Sequence, residues 1–299
     1  MDSRSERRMG WIPSRPDLRD YAVQQGTVKK LLTATKVLKL IKDESALPTS
    51  VSDLEKYCTP VEYQGKLGAC TAHAGVGLVE FFENKTFGKY SDKSRLFLYK
   101  TTRNLLHLVG DTGADIRSTL AALIFSGVPP EEYWPYTDGD NFDAEPSAFC
   151  YSLAQNYKTV IYYRYDLPGV AAADLLVRIK TQLAAGLPSM FGFSIYSSYT
   201  LAEKNGGKIP FPASGESQKG GHAVCAIGYD DGIRITNAAG STTDGALRIR
   251  NSWSEEWGQQ GYGWLPYEYV LQGLAIDWWS IIKNEWVDIS EFAPEKVAK

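Results

Sequence analysis

Gln64-Gly65-Lys66-Leu67-Gly68-Ala69-Cys70-Thr71-Ala72-His73 is the stretch on which the reading of this chain turns. Glycines break the chain up to Cys70, and from Cys70 to about Phe87 apolar residues recur on one side, with Gly88 just past the end. That pattern predicts a helix with Cys70 in its first turn. A thiol in that position is favoured as the thiolate, the attacking form, because unpaired N–H groups and the helix dipole stabilise negative charge.

A thiolate needs a proton carrier, and the chain has three histidines. His107, in Asn-Leu-Leu-His-Leu-Val, sits among apolar residues and reads as structural. His73 follows Cys70 at a spacing that could offer two ligands to a metal, but no further Cys or His pair lies nearby, so no metal is expected. His222, in Gly220-Gly221-His222-Ala223-Val224, stands where a glycine turn opens into a strand. Alone it would read as a buried structural histidine, but Arg250-Asn251-Ser252-Trp253 lies downstream. Together these residues supply acyl transfer: Cys70 attacks, and His222 activates the thiol and protonates the leaving amine. Asn251 holds the ring without adding charge, and Gln64 with the Cys70 backbone N–H donates to the oxyanion.

At these positions the chain resembles the papain-like cysteine peptidases, whose cysteine motif runs Gln-Gly-x-Cys-Gly-Ser-Cys-Trp-Ala-Phe. The glutamine, both glycines and the nucleophile match at Gln64, Gly65, Gly68 and Cys70. The histidine motif matches from His222 to Tyr229 and the asparagine motif from Asn251 to Tyr262. His222 and Asn251 lie 152 and 181 residues after Cys70, against about 130 to 150 in the family. The resemblance covers about Ala46 to Trp279. It departs at Leu67, where secreted relatives have a disulfide cysteine, so that bridge cannot form; it departs again at Thr71 and His73, in place of Trp and Phe. Residues 1–45 are shorter than the long helical propeptide of plant and lysosomal relatives. Gly10-Trp11-Ile12-Pro13 with Asp20-Tyr21 is similar to the signature of the bacterial short-prosegment branch.

The resemblance implies a two-lobed α+β fold, with a helical left lobe, a β-barrel-like right lobe, and Cys70 and His222 on opposite walls of the cleft between them. It implies that Gly113 and Ala114 contact substrate backbone and that Gly192, Gly221 and Ala223 line a roomy second subsite. Asp277 aligns with the floor of that pocket: pointing in, it would admit basic side chains; otherwise it is a solvated loop acid. Trp253 is expected to shield the Asn251–His222 hydrogen bond, to pack in the core, or both.

The rest of the chain agrees in texture. Helices are expected near 93–108, 116–125 and 172–185, and strands at 159–165, 189–196, 223–230, 245–252 and 261–266. Helices followed by strands indicate an α+β class. Four segments are expected: an N-terminal propeptide-like segment 1–45, a mainly helical lobe 46–157 carrying the nucleophile, a mainly β lobe 158–285 carrying His and Asn, and a tail 286–299. Leucines and lysines from Lys29 to Lys42 fit a helix, read as packed on the body, as bound to a membrane surface or target protein, or as part of a propeptide.

Of the 299 residues, 43% are hydrophobic and 22% charged, which suits a globular chain rather than a disordered one. Its 32 basic and 35 acidic residues give a net charge of −3, which offers no general attraction to nucleic acid. No apolar run is long enough to suggest a membrane partner. Four cysteines are too few for a disulfide scaffold, and pairing of Cys58 with Cys150 stays open. No signal peptide is visible, so the sequence reads as cytoplasmic, with export by another route open. No cofactor is expected. The expectation is a cysteine endopeptidase acting on peptide or protein substrates through a Cys70 thioester, with the N-terminal segment as inhibitor in cis. Pro13 makes Trp11-Ile12-Pro13 a plausible occupant of the cleft, because it restricts the backbone. The alternatives are an exopeptidase or thiol acyltransferase on the same fold, or a silent binding module.

Overall fold

The helix that begins at Cys70 is expected to be apolar on one side, but it is buried on every side along its first 13 residues, His73 and Glu80 included. In the computed structural model, which describes residues 9–15, 17, 20–23, 25–33, 46–157 and 161–282, the elements in chain order are α1 (Gly26–Thr33), β1 (Ser50–Val51), α2 (Cys70–Phe87), α3 (Arg95–Leu105), α4 (Ile116–Phe125), α5 (Ala148–Ala154), β2 (Ile161–Arg164), α6 (Ala172–Ala184), β3 (Ser189–Tyr196), β4 (Gln218–Thr236), β5 (Thr242–Arg250), β6 (Tyr262–Pro266), α7 (Glu268–Leu271) and β7 (Ala275–Ile282). Every residue of α2 from Cys70 to Phe82 is buried, and Gly88 closes the helix in the left-handed conformation at φ 65°. Ser94 caps α3 by accepting from the Phe97 N–H, and Asp115 caps α4 by accepting from the Ser118 N–H.

Helix α2 packs against α3 and α4 on one side and against β4 on the other, so its N-terminus, with Cys70, meets the sheet. The sheet has seven antiparallel strands in the order β2-β7-β3-β4-β5-β6, with β1 on β4. It is open where a barrel-like sheet is expected, with β2 and β6 at its two ends. Isolated bridges partly cover both edges: Ala22 to Arg164 on β2, and Lys208 to Trp264 on β6.

The helix expected from Lys29 to Lys42 is seen as α1 up to Thr33; its remainder, residues 158–160 of the first expected strand and the tail 286–299 lie outside the described residues. Strand β7 and helix α5 were not expected. β7 runs Ala-Ile-Asp-Trp-Trp-Ser-Ile-Ile with almost every residue buried, and such a run lacks the two-residue alternation that marks a half-exposed strand. None of the four cysteines forms a disulfide, which settles the open Cys58–Cys150 pairing.

Candidate active site

His222 lies on β4, opposite Phe193 of β3, and Asn251 follows the last residue of β5. His222 Nε2 is 2.8 Å from Asn251 Oδ1. Asn251 Nδ2 donates to the Tyr199 hydroxyl at 3.1 Å and its Oδ1 also accepts from the Ser252 N–H, which fixes the amide orientation. An amide oxygen only accepts, so Nε2 carries a proton and Nδ1 is the basic nitrogen of the neutral ring. Trp253 stacks on the imidazole at 4.7 Å between centroids. The Trp253 ring is itself buried, so it covers the hydrogen bond and packs in the core at once.

Gln64 reaches the same place through backbone pairing. Its N–H donates to the Ser252 carbonyl at 2.9 Å, and Ser254 N–H donates to the Glu62 carbonyl at 3.0 Å. The Ser252 hydroxyl donates to Gln64 Oε1 at 2.6 Å while Gln64 Nε2 donates to the Leu67 carbonyl at 2.9 Å. The side-chain nitrogen is thereby directed to the Leu67 side, toward the loop that leads into Cys70. Arg95 is buried under this segment, 2.8 Å from Glu62 and 2.9 Å from Glu80. Burial raises Glu62 to about 7 in spite of that partner.

The backbone amide of Ala223, next to His222, points at the Cys70 sulfur, as does that of Gly10. Cys70, Gln64 and His222 have no exposed surface and Asn251 has almost none. Burial pushes the Cys70 thiol up to about 11 against the pull of these amides and those of Thr71 and Cys70 itself. This corrects the expectation of a thiol lowered by the helix terminus and imidazole. In this state desolvation outweighs the backbone amides at the helix terminus.

What covers the thiol is the N-terminal segment. Gly10 and Ile12 clasp Ala114: Ala114 N–H donates to the Gly10 carbonyl at 2.8 Å and Ile12 N–H to the Ala114 carbonyl at 3.0 Å, a parallel bridge centred on Trp11. Trp11 N–H donates to the Gly221 carbonyl at 3.2 Å. The indole lies on Gly192 and Gly221, where a Cβ at either position would strike it. Gly113 packs directly against the Gly10 carbonyl.

Asp277 closes the pocket. It is fully buried, so it is not a solvated loop acid. It accepts from Trp11 Nε1 at 3.2 Å, from the Ser14 N–H at 3.0 Å and from the Ser14 hydroxyl at 2.8 Å. Its φ of 64° is a conformation that costs a non-glycine residue about 1 kcal/mol or more. The Asp166 carboxylate, which accepts from the Asp277 and Trp278 N–H groups, holds that turn.

The structure thus gathers Gly113, Ala114, Gly192, Gly221 and Asp277 around Trp11, and Gln64, Cys70, Ala223, His222, Asn251 and Trp253 beside them. Ser252, Tyr199 and Tyr136, whose hydroxyl donates to the Gln64 carbonyl at 2.8 Å, were missed. Only Ser252, adjoining Asn251, had a signal in the sequence. Among the described residues no group of His, Cys, Asp and Glu could hold a metal ion, and no helix is long and apolar enough to cross a membrane.

Residues 47–273 match the model of the papain family cysteine proteases. The chain is 32% identical over 305 aligned positions to an uncharacterised peptidase C1-like protein of Acanthamoeba polyphaga mimivirus, covering 97% of this chain and 92% of that protein. It is similar to the crystal structure of xylellain, a cysteine protease from Xylella fastidiosa, with a TM-score of 0.73 at 35% identity, covering 92% of this chain and 96% of that one. A procathepsin B from Trypanosoma congolense shares the fold at a TM-score of 0.62 and 14% identity, covering 93% and 88% of the two chains.

Proposed function

The chain belongs to the papain family of cysteine proteases, and from that membership we propose that it is an endopeptidase held latent by residues 9–14 lying in its own cleft. In the proposed reaction the Cys70 sulfur bonds to the scissile carbonyl carbon after passing its proton to His222 Nδ1. The developing oxyanion is held by Gln64 Nε2 and the Cys70 N–H. The carbon–nitrogen bond then breaks as the imidazolium protonates the leaving amine, and a water activated by His222 hydrolyses the thioester, which restores the thiol. Asn251 keeps the Nε2 proton in place through both halves.

The observation that carries the latency reading is the seat of Gly10 and Trp11. Gly10 presents its N–H to the sulfur, and a donor is not an electrophile, so the segment covers the nucleophile without offering it a bond to cut. The described residues of the N-terminal 45 support two roles. Residues 9–14 occupy the cleft. Residues 20–23 and 25–33 are built into the body, where Val28 and Leu32 are fully buried. Asp20 pairs with Arg117 of α4 and lies 3.6 Å from Arg164 of β2, one partner from each lobe. The wide coverage of a relative described as a procathepsin supports a pro-form reading.

Trp11 also indicates the substrate. A pocket floored by a buried carboxylate and walled by glycines suits a long side chain ending in an N–H donor or a cation, hence Trp, Arg or Lys at that subsite. The deciding experiment is hydrolysis of fluorogenic peptides carrying such residues, under reducing conditions, by the full chain, its Cys70→Ala variant and its Trp11→Ala variant. We expect weak turnover from the first, none from the second and at least tenfold more from the third. Equal turnover from the first and third would sink latency, and turnover that survives Cys70→Ala would sink the mechanism.

A further inference from the structure

His73 stands one turn below Cys70 and is nine-tenths or more buried, at 3% exposure. Its Nδ1 is 3.1 Å from the Ala69 carbonyl oxygen. The same oxygen accepts the His73 backbone N–H at 3.1 Å, so one residue offers two donors to one carbonyl. A carbonyl only accepts, so the proton must reside on Nδ1. The ring meets Tyr136 edge to face at 4.9 Å, and the Tyr136 hydroxyl in turn donates to the Gln64 carbonyl. Burial and the facing charges of Arg95 and Arg250 lower the imidazole to about 3, so the ring stays neutral and this tautomer persists at ordinary pH. Nε2 has no hydrogen-bond partner among the described residues. A phenyl ring would fill this space without burying an unsatisfied nitrogen, and such a cost in a folded chain asks for a reason.

We propose that His73 is a positioning residue for the oxyanion, acting through the Ala69–Cys70 peptide. A hydrogen bond to an amide oxygen draws electron density from its nitrogen and makes the N–H of the same peptide a stronger donor. The N–H of this peptide belongs to Cys70. The second donor from Nδ1 therefore strengthens the group that is to hold the oxyanion, in a buried site where a stronger donor counts for more than it would in water. Among the described residues no hydrogen bond joins His73 to the thiol. It acts on charge that develops only in the transition state, so its effect belongs in kcat and not in KM. The inference rests on the Cys70 mechanism proposed above.

The sequence provides a direct readout, because Ala–Cys occurs once in it. Labelling alanine with 13C at the carbonyl and cysteine with 15N isolates one cross-peak in the full resting chain, reporting the Ala69 carbonyl and the Cys70 amide together. In His73→Phe both resonances should move upfield as the carbonyl loses a donor, and in His73→Asn, whose side-chain N–H replaces Nδ1–H, they should return most of the way. Turnover is then compared in the full chain carrying Trp11→Ala. His73→Phe should lower kcat by about tenfold, a fraction of the roughly 100-fold or more seen when an oxyanion donor is removed outright. KM should be unchanged, and His73→Asn should recover most of the loss. A cross-peak unmoved in a folded His73→Phe protein overturns the proposal, as does a moved cross-peak with unaltered kcat. Hydrolysis that persists after Cys70→Ala would instead remove the mechanism on which the proposal stands, leaving the polarised peptide as a structural fact.

Discussion

Trp11 donates its indole N–H to Asp277 across 266 positions of sequence, at 3.2 Å in a buried pocket. The same carboxylate accepts two hydrogen bonds from Ser14. When the segment leaves, Asp277 Oδ2 loses these three donors while Oδ1 keeps the Trp279 indole N–H at 2.7 Å and Arg164 at 3.7 Å, and the vacated oxygen favours a ligand that supplies a donor. Asp277→Asn keeps the shape and removes the charge. In a Trp11→Ala background it should lower kcat/KM for a peptide with Arg at this subsite by about tenfold or more relative to one with Leu. An unchanged Arg-to-Leu ratio would mean that Asp277 does not read the substrate.

Asp20 should matter for stability and little for latency. Its side chain is 4% exposed, so removing the carboxylate takes from the Arg117 guanidinium the acid it pairs with, while Arg164 keeps Asp166 at 2.8 Å. Asp20→Ala is expected to cost about 3 kcal/mol, the usual penalty for breaking a buried pair, read as an earlier denaturation midpoint. Turnover at a temperature where the variant is folded should rise much less than with Trp11→Ala. A rise equal to that of Trp11→Ala, with no loss of stability, would mean that 20–33 is part of the occluding segment.

The covered thiol should be chemically quiet. With Cys70 held at about 11 by burial, the thiolate fraction of the closed state at pH 7 is about one part in ten thousand. Alkylation of Cys70 by iodoacetamide, read by peptide mass spectrometry, should be slow in the full chain and rise with pH toward 11. Trp11→Ala should label faster at pH 7. Equal rates at pH 7 would show that something other than the N-terminal segment buries the sulfur.

What was legible in the sequence followed short-range chemistry. The cysteine helix declared itself through its apolar run and Gly88, and local motifs singled out Cys70, His222, Asn251 and Gln64 as the candidate set. What was not legible depends on residues far apart in the chain. The direction of Asp277 is set by its own left-handed turn and by Asp166, and nothing in Gly-Leu-Ala-Ile-Asp encodes either. Tyr199, in the segment after β3, meets Asn251, just past β5, across 52 positions of sequence. The raised thiol was misjudged because helix dipole and imidazole are local arguments, whereas burial depends on where Gly10 and Trp11 come to rest.

His73 makes a prediction for acid stability that does not depend on activity. Its imidazole falls from an ordinary 6.5 to about 3 in the fold, chiefly through burial. The unfolded chain therefore binds a proton below pH 6.5 that the folded chain refuses down to about 3. The stability associated with a neutral ring is fully present above 6.5 and is lost as pH falls through that window, with a slope of about 1.4 kcal/mol per pH unit. Glu62 and Glu131 act in the opposite sense. Burial raises each from 4.5 to about 7, so the fold holds their protons more tightly and gains relative stability as pH falls through 7 toward 4.5. Between pH 4.5 and 6.5 these slopes oppose one another, and because two carboxyls act against one imidazole, the three groups together should make the wild-type chain more stable toward acid. His73→Phe removes only the histidine contribution. Its denaturation free energy should therefore improve relative to wild type as pH is lowered from 6.5 to 4.5, whatever the difference at pH 7. Parallel profiles for the two proteins across that range would mean that His73 takes up its proton in the folded chain as readily as in the unfolded one, which a ring this deeply buried does not allow.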